Sequence, residues 1–102
     1  MRVELLYFDG CPNWEVAEHR LTEALRTAGR DEVTVDRRMV ETPEEAEVLK
    51  FIGSPTIRIN GAEPLATGDE LVGLACRIYE TPTGRAGAPS AAQLLEVIEA
   101  LA

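Results

Sequence analysis

A strand-like run, Val3-Glu4-Leu5-Leu6-Tyr7-Phe8, stops at Asp9-Gly10 and gives way at once, through Cys11-Pro12, to a helical pattern. A short apolar run closed by a turn pair reads as a buried strand. Trp14, Ala17, Leu21, Ala24, Leu25 and Ala28 then recur every three or four residues, which makes one stripe of a helix with Gly29 as its C-terminal glycine. Glu15, Glu18, His19, Thr22, Glu23 and Arg26 fall on the outer side. A strand feeding a helix across four residues constrains the chain to a layered α/β arrangement. It also places Cys11, with proline expected at the first helical position, beside backbone N–H groups that have no intrahelical partner.

The rest of the chain continues that alternation. Val33 and Val35 alternate with polar residues in a second strand over 32–38. Thr42-Pro43-Glu44-Glu45 is a capping box that opens a helix to about Lys50. Glu41, Glu44, Glu45 and Glu47 gather near its N-terminus and read as a solvated face. Gly53-Ser54-Pro55 breaks the chain before a third strand, Thr56-Ile57-Arg58-Ile59, and Asn60-Gly61 is a strong turn signal. Residues 62–72 read as a loop, 73–79 as a fourth strand antiparallel to the third, and 81–89 as a second loop. Ser90-Ala91-Ala92-Gln93 caps a last helix whose apolar side is Leu94, Leu95, Ile98 and Leu101. The expected order is β-α-β-α-β-β-α in one domain over 1–102. Its first three strands are expected to be largely parallel, with helices on both faces.

Composition narrows the function classes. Eighteen acidic residues against ten Lys and Arg give a formal charge of −8, which repels phosphate and argues against nucleic acid. No apolar run approaches the ~20 residues of a membrane span, and the start lacks the pattern of a signal peptide. The expectation is a cytoplasmic domain. Two cysteines and one histidine are too few for a disulfide scaffold or a usual zinc site. No cofactor and no metal is implied, except a soft metal on Cys11 and Cys76.

Cys11 carries the chemistry. Free N–H donors and the positive end of a helix favour thiolate over thiol, while Asp9 nearby opposes it. Trp14, one helical turn on, either shields the sulfur or packs in the core. Tyr7, Phe8 and Phe51 read as core residues and His19 as a solvated one. Cys76 lies sixty-five positions away, on the same side of its strand as Leu74 and Ile78, which predicts burial. It is either packing or a resolving thiol for Cys11, and the second role needs Cα atoms within about 7 Å. Arg77 and Tyr79 stand near the loops, where they could line a groove.

The segment Cys11-Pro12-Asn13-Trp14 between strand and helix, together with Gly53-Ser54-Pro55-Thr56-Ile57, resembles the thioredoxin-like superfamily. The resemblance spans nearly the whole chain and implies a minimal thioredoxin fold with a central four-stranded mixed sheet. It implies that Pro55 is cis and that Ser54 lies next to Cys11. Pro12, Trp14, Ser54 and Pro55 would then shape a substrate groove. Dithiol members have a second cysteine where this chain has Trp14, and thioredoxins proper have a buried acid where it has Leu5. The resemblance therefore implies a monothiol oxidoreductase in which Cys11 attacks a disulfide, peroxide or thiol adduct. Cys76 or an external thiol would resolve the intermediate.

A non-catalytic thioredoxin-fold module that holds a partner or a soft metal is the second reading. A third comes from Tyr7-Phe8-Asp9-Gly10-Cys11-Pro12, Glu41-Thr42-Pro43-Glu44-Glu45-Ala46 and Cys76-Arg77-Ile78-Tyr79. These strings are similar to a group of small bacterial thioredoxin-like proteins, some labelled alkylmercury lyases. True lyases use two thiolates and an aspartate; Cys11, Cys76 and Asp9 supply those residue types at a different spacing.

Overall fold

The computed structural model describes residues 1–101. Strand β1 (Val3–Tyr7) is fully buried and forms the centre of a three-stranded sheet. It pairs parallel with β2 (Val35–Met39), Val3 opposite Val35, and antiparallel with β3 (Thr56–Ile59), Leu6 opposite Thr56 and Val3 opposite Ile59. Helix α1 (Asn13–Thr27) and helix α3 (Ala91–Leu101) cover one face, and the short helix α2 (Pro43–Leu49) covers the other.

Alternation along β1 divides the core. Val3 and Leu5 face Ala17, Leu21 and Leu25 of α1, Ile57 and Ile59 of β3, and Leu94 and Ile98 of α3. Leu6 points the other way, into a smaller cluster with Val40, Ala46 and Phe51. The helix ends follow the sequence signals. Thr42 Oγ1 accepts from the Glu45 N–H at 3.1 Å, and Ser90 and Gln93 exchange reciprocal bonds of 2.9 and 3.1 Å.

Three expectations are corrected. The third strand is antiparallel, not parallel, to the first. Seven residues of α2 rise about 10 Å, less than the ~17 Å of a five-residue strand. The chain therefore comes back at the C-terminal end of β1 and starts β3 opposite Leu6. The four-stranded central sheet is replaced by three strands plus a hairpin. Residues 73–79 meet the sheet region at one parallel bridge, Ser54 to Cys76, and then β4 (Tyr79–Thr81) pairs with β5 (Gly84–Ala86) in a stretch expected to be loop. Finally, α1 begins at Asn13, so Pro12 is its cap residue and not its first turn. No helix among the described residues is long and apolar enough to cross a membrane.

The buried Leu21 and the exposed Val48 (81% exposed) give a direct test of this packing. Leu21→Ala is expected to lower unfolding free energy by ~2–5 kcal/mol and Val48→Ala to stay within about 0.5 kcal/mol, both read from urea denaturation midpoints.

Candidate active site at two cysteines

The end of β1, the start of α1 and the segment before β3 converge on Cys11. Its backbone N–H closes the turn by donating to the Phe8 carbonyl at 3.2 Å, which fixes the residue at the helix entry. The side chain is completely buried. The Cys76 thiol donates to Cys11 Sγ across 3.0 Å, and Cys11 Sγ in turn donates to the Ser54 carbonyl at 3.5 Å. Both cysteines are free thiols.

Burial pushes the Cys11 thiol up. The Cys76 thiol, which donates to the sulfur, and the Asn13 N–H, Ser54 hydroxyl and Asn13 side chain, which stand near enough to favour the thiolate, outweigh that, and the net displacement is downward. The Asn13 N–H is one of the first-turn donors that the helix cannot use itself. Ser54 Oγ is buried and has no partner in the resting site, so its proton is free to turn to the sulfur when Cys11 ionises. Cys76 moves the opposite way: the bond it donates to Cys11, burial and the neighbouring negative charge all hold its proton on. The two thiols are thus sorted into one that ionises early and one that keeps its proton.

The Ser54–Pro55 peptide is cis, and Ser54 and Pro55 are buried beside the thiols. The expected burial of Cys76 is corrected. Cys76 and Ile78 are exposed, while Arg77 and Tyr79 point inward. A one-residue slip in an extended segment exchanges its faces, and here Arg77 fixes the choice. The residue is 6% exposed, and its guanidinium lies 4.3 Å over the Tyr79 ring and donates to Glu70 at 3.2 Å, Leu65 O at 3.3 Å and Thr56 Oγ1 at 3.5 Å. Tyr79 then donates its phenol to the Pro55 carbonyl.

The other residues singled out in the sequence have different surroundings. Trp14 is half-buried, stacked on Tyr7 at 4.3 Å and 23°, with the Arg37 guanidinium 5.2 Å above it. Arg37 is itself forked onto Glu18. Pro12 is exposed, as is Asp9, which is not among the groups that move the Cys11 thiol. His19 is exposed and pairs with Glu23 at 3.4 Å. A groove of about 880 Å³ between α1 and β2 is lined by Glu18, Arg26, Arg30 and Arg37 but by neither cysteine. Among the described residues, no group of three or more His, Cys, Asp or Glu side chains could hold a metal ion.

Two residues of the site escaped the sequence reading. Asn13 serves Cys11 twice and is seated against Gly87, where a Cβ would lie 2.2 Å from Asn13 Nδ2. Its position two after a helix-start cysteine was the available signal. Glu70 accepts the Thr67 N–H at 2.9 Å and the Gly68 N–H at 3.0 Å before it meets Arg77. The Thr-Gly-Asp-Glu turn was the only hint. No match is found among protein-family profiles, curated proteins or solved structures.

Burial pushes the Glu70 carboxyl up, but the N–H groups of its own turn, Thr67 first, then Glu70 itself and Gly68, bring it down to about 2. A carboxyl lowered in the folded state adds stability above its unfolded pKa and loses it as pH falls through the folded value. Wild type is therefore expected to lose ~2–3 kcal/mol relative to Glu70→Gln between about pH 5 and pH 2. Thermal unfolding of both chains across that window measures it.

Proposed function

We propose that the chain is a thioredoxin-like thiol protein, a thiol–disulfide oxidoreductase in which Cys11 is the attacking thiolate and Cys76 resolves. The 3.0 Å approach of the two sulfurs carries this reading. In the first step the Cys11 thiolate attacks one sulfur of R–S–S–R′, forms Cys11–S–S–R and releases R′S⁻. The Cys76 thiol then gives up its proton and attacks Cys11 Sγ. The Cys11–Cys76 disulfide forms, and R leaves as RSH. With a hydroperoxide the first step gives Cys11 sulfenic acid and an alcohol, and the second gives the same disulfide and water.

The strand–Cys11–helix junction, the parallel β1–β2 pair, antiparallel β3 and Ser54–Pro55 beside the sulfur support the thioredoxin-like reading. The expected monothiol site gains a second thiol from a remote segment, since Cys76 stands where the CPxW motif offers no partner.

Treating the reduced chain with a small aromatic disulfide tests the order of events. Wild type is expected to release two thiols per chain and end with an internal disulfide. Cys76→Ala should stop after one release as a mixed disulfide on Cys11, and Cys11→Ser should react about as slowly as an ordinary thiol. The pH–rate midpoint for Cys11 should lie below the ~8.5 of a free thiol and rise in Cys76→Ala, where a donor to the thiolate is lost. Retention of the wild-type rate by Cys11→Ser rules the proposal out.

A further inference from the structure

The site is closed by the chain's own backbone. Ser54, the residue whose carbonyl meets Cys11 Sγ, offers one N–H and one C=O along its edge. The N–H donates to Ala75 O at 2.8 Å, and the C=O accepts from Arg77 N–H at 2.9 Å. Residues 75–77 thus lie as a one-residue parallel bridge on the edge that an extended peptide would need in order to pair beside the sulfur. Cys76, at the middle of that bridge, presents its sulfur to Cys11 as a substrate cysteine would.

The strap is anchored at two points besides Ser54. Arg77 is buried against Tyr79 and Glu70, as described above. Gly53, at φ +111°, lets the strap lie directly on it: a Cβ there would be 2.6 Å from Arg77 Cγ and 3.0 Å from Ala75 O. The backbone of 75–77 is therefore held, and at its middle the exposed Cys76 gives its thiol to Cys11 Sγ at 3.0 Å. That one thiol contact, and no backbone bond, is what a small molecule must displace to reach Cys11.

We infer that the 75–77 strap excludes polypeptide from the site and restricts Cys11 to small-molecule disulfides and related low-molecular-weight thiol adducts. This inference rests on the thiol chemistry proposed above and names its substrate class. The balance is that of disulfide exchange: one small disulfide is reduced to two thiols while Cys11 and Cys76 are oxidised to a disulfide. An external low-molecular-weight thiol or dithiol then returns the pair to the reduced state.

The test uses the full-length chain carrying Cys76→Ser, so that Cys11 is the only thiol. Its modification rate by iodoacetamide is compared with that by a maleimide bearing a long polyethylene glycol chain. Each rate is normalised to the same chain unfolded in urea. The bulky-to-small ratio is expected to fall at least about tenfold below the unfolded ratio, and to recover by a similar factor when Arg77→Ala is added. Glu70→Gln is the milder second variant, should Arg77→Ala fail to give a folded circular dichroism spectrum, and it should raise the ratio in the same direction. In wild type, a small disulfide such as 2-hydroxyethyl disulfide should be reduced, and insulin disulfides should not.

A folded ratio equal to the unfolded one overturns the strap, as does reduction of insulin at the small disulfide's rate. No labelling of Cys11 by iodoacetamide in the folded chain also overturns it, because small molecules would then be excluded too. The absolute iodoacetamide rate judges the thiolate reading separately. A slow Cys11 with a depressed ratio removes the oxidoreductase and leaves the strap, whereas a fast Cys11 with an undiminished ratio does the reverse.

Discussion

Two backbone hydrogen bonds on Ser54 hold the candidate site together. Its N–H to Ala75 and its carbonyl from Arg77 carry the 73–78 segment, which otherwise belongs to neither sheet, onto the end of β3. Together with the buried Arg77 side chain and the close contact over Gly53, that pair sets where Cys76 lies against Cys11. A buried, unpaired backbone N–H or C=O costs free energy comparable to a lost hydrogen bond. Any partner that removes the strap must therefore satisfy Ser54 in its place.

The same arrangement makes the two thiols unequal in a useful direction. Cys11 receives donors from Asn13 and Cys76 and has a spare one in Ser54 Oγ, so ionisation there meets groups already in position. Cys76 is the donor of the S–H···S contact, and its own ionisation would put a second negative charge beside the first. The sulfur that ionises more readily is thus the buried one, and the accessible sulfur is the one that keeps its proton. In the proposed exchange Cys11 ceases to be an anion once it carries an adduct, and the part of the penalty on Cys76 that comes from that charge disappears while the part due to burial stays.

What the sequence made legible is what depends on neighbours in the chain. The strand at Val3–Tyr7, the capping boxes at Thr42 and Ser90, the turn at Asn60-Gly61 and the helix-start cysteine are all local signals, and the structure has each of them. The errors arise where a non-local term decides. Period-two alternation put Cys76 and Ile78 on one face, as they are, but it could not say which face turns inward, and Leu74 packs on the core instead of sharing their exposure. The direction of β3 depended on the length of α2 against that of β1, and the hairpin of β4 and β5 on pairing across Pro82-Thr83. The proximity of Cys11 and Cys76 follows from the Ser54 bridge, for which no residue spacing gives a sign.

The inward choice at 73–79 goes against the usual preference of arginine for water, and an ion pair with Glu70 does not by itself account for it. Burying both charges costs roughly what their attraction returns. The difference lies in how the cavity is furnished for a planar guanidinium: both terminal nitrogens have partners, and the buried Nε alone has none. Glu70 is pre-aimed by the Thr67 and Gly68 N–H groups, Leu65 and Thr56 supply neutral oxygens, and the Tyr79 ring supplies a face. A lysine could meet the carboxylate but not the fork and the stack together, and an apolar side chain would fill the space without selecting a register. Arg77 therefore acts less as a source of stability than as the group that decides which of two alternations the segment adopts. That decision puts the Cys76 sulfur within reach of Cys11.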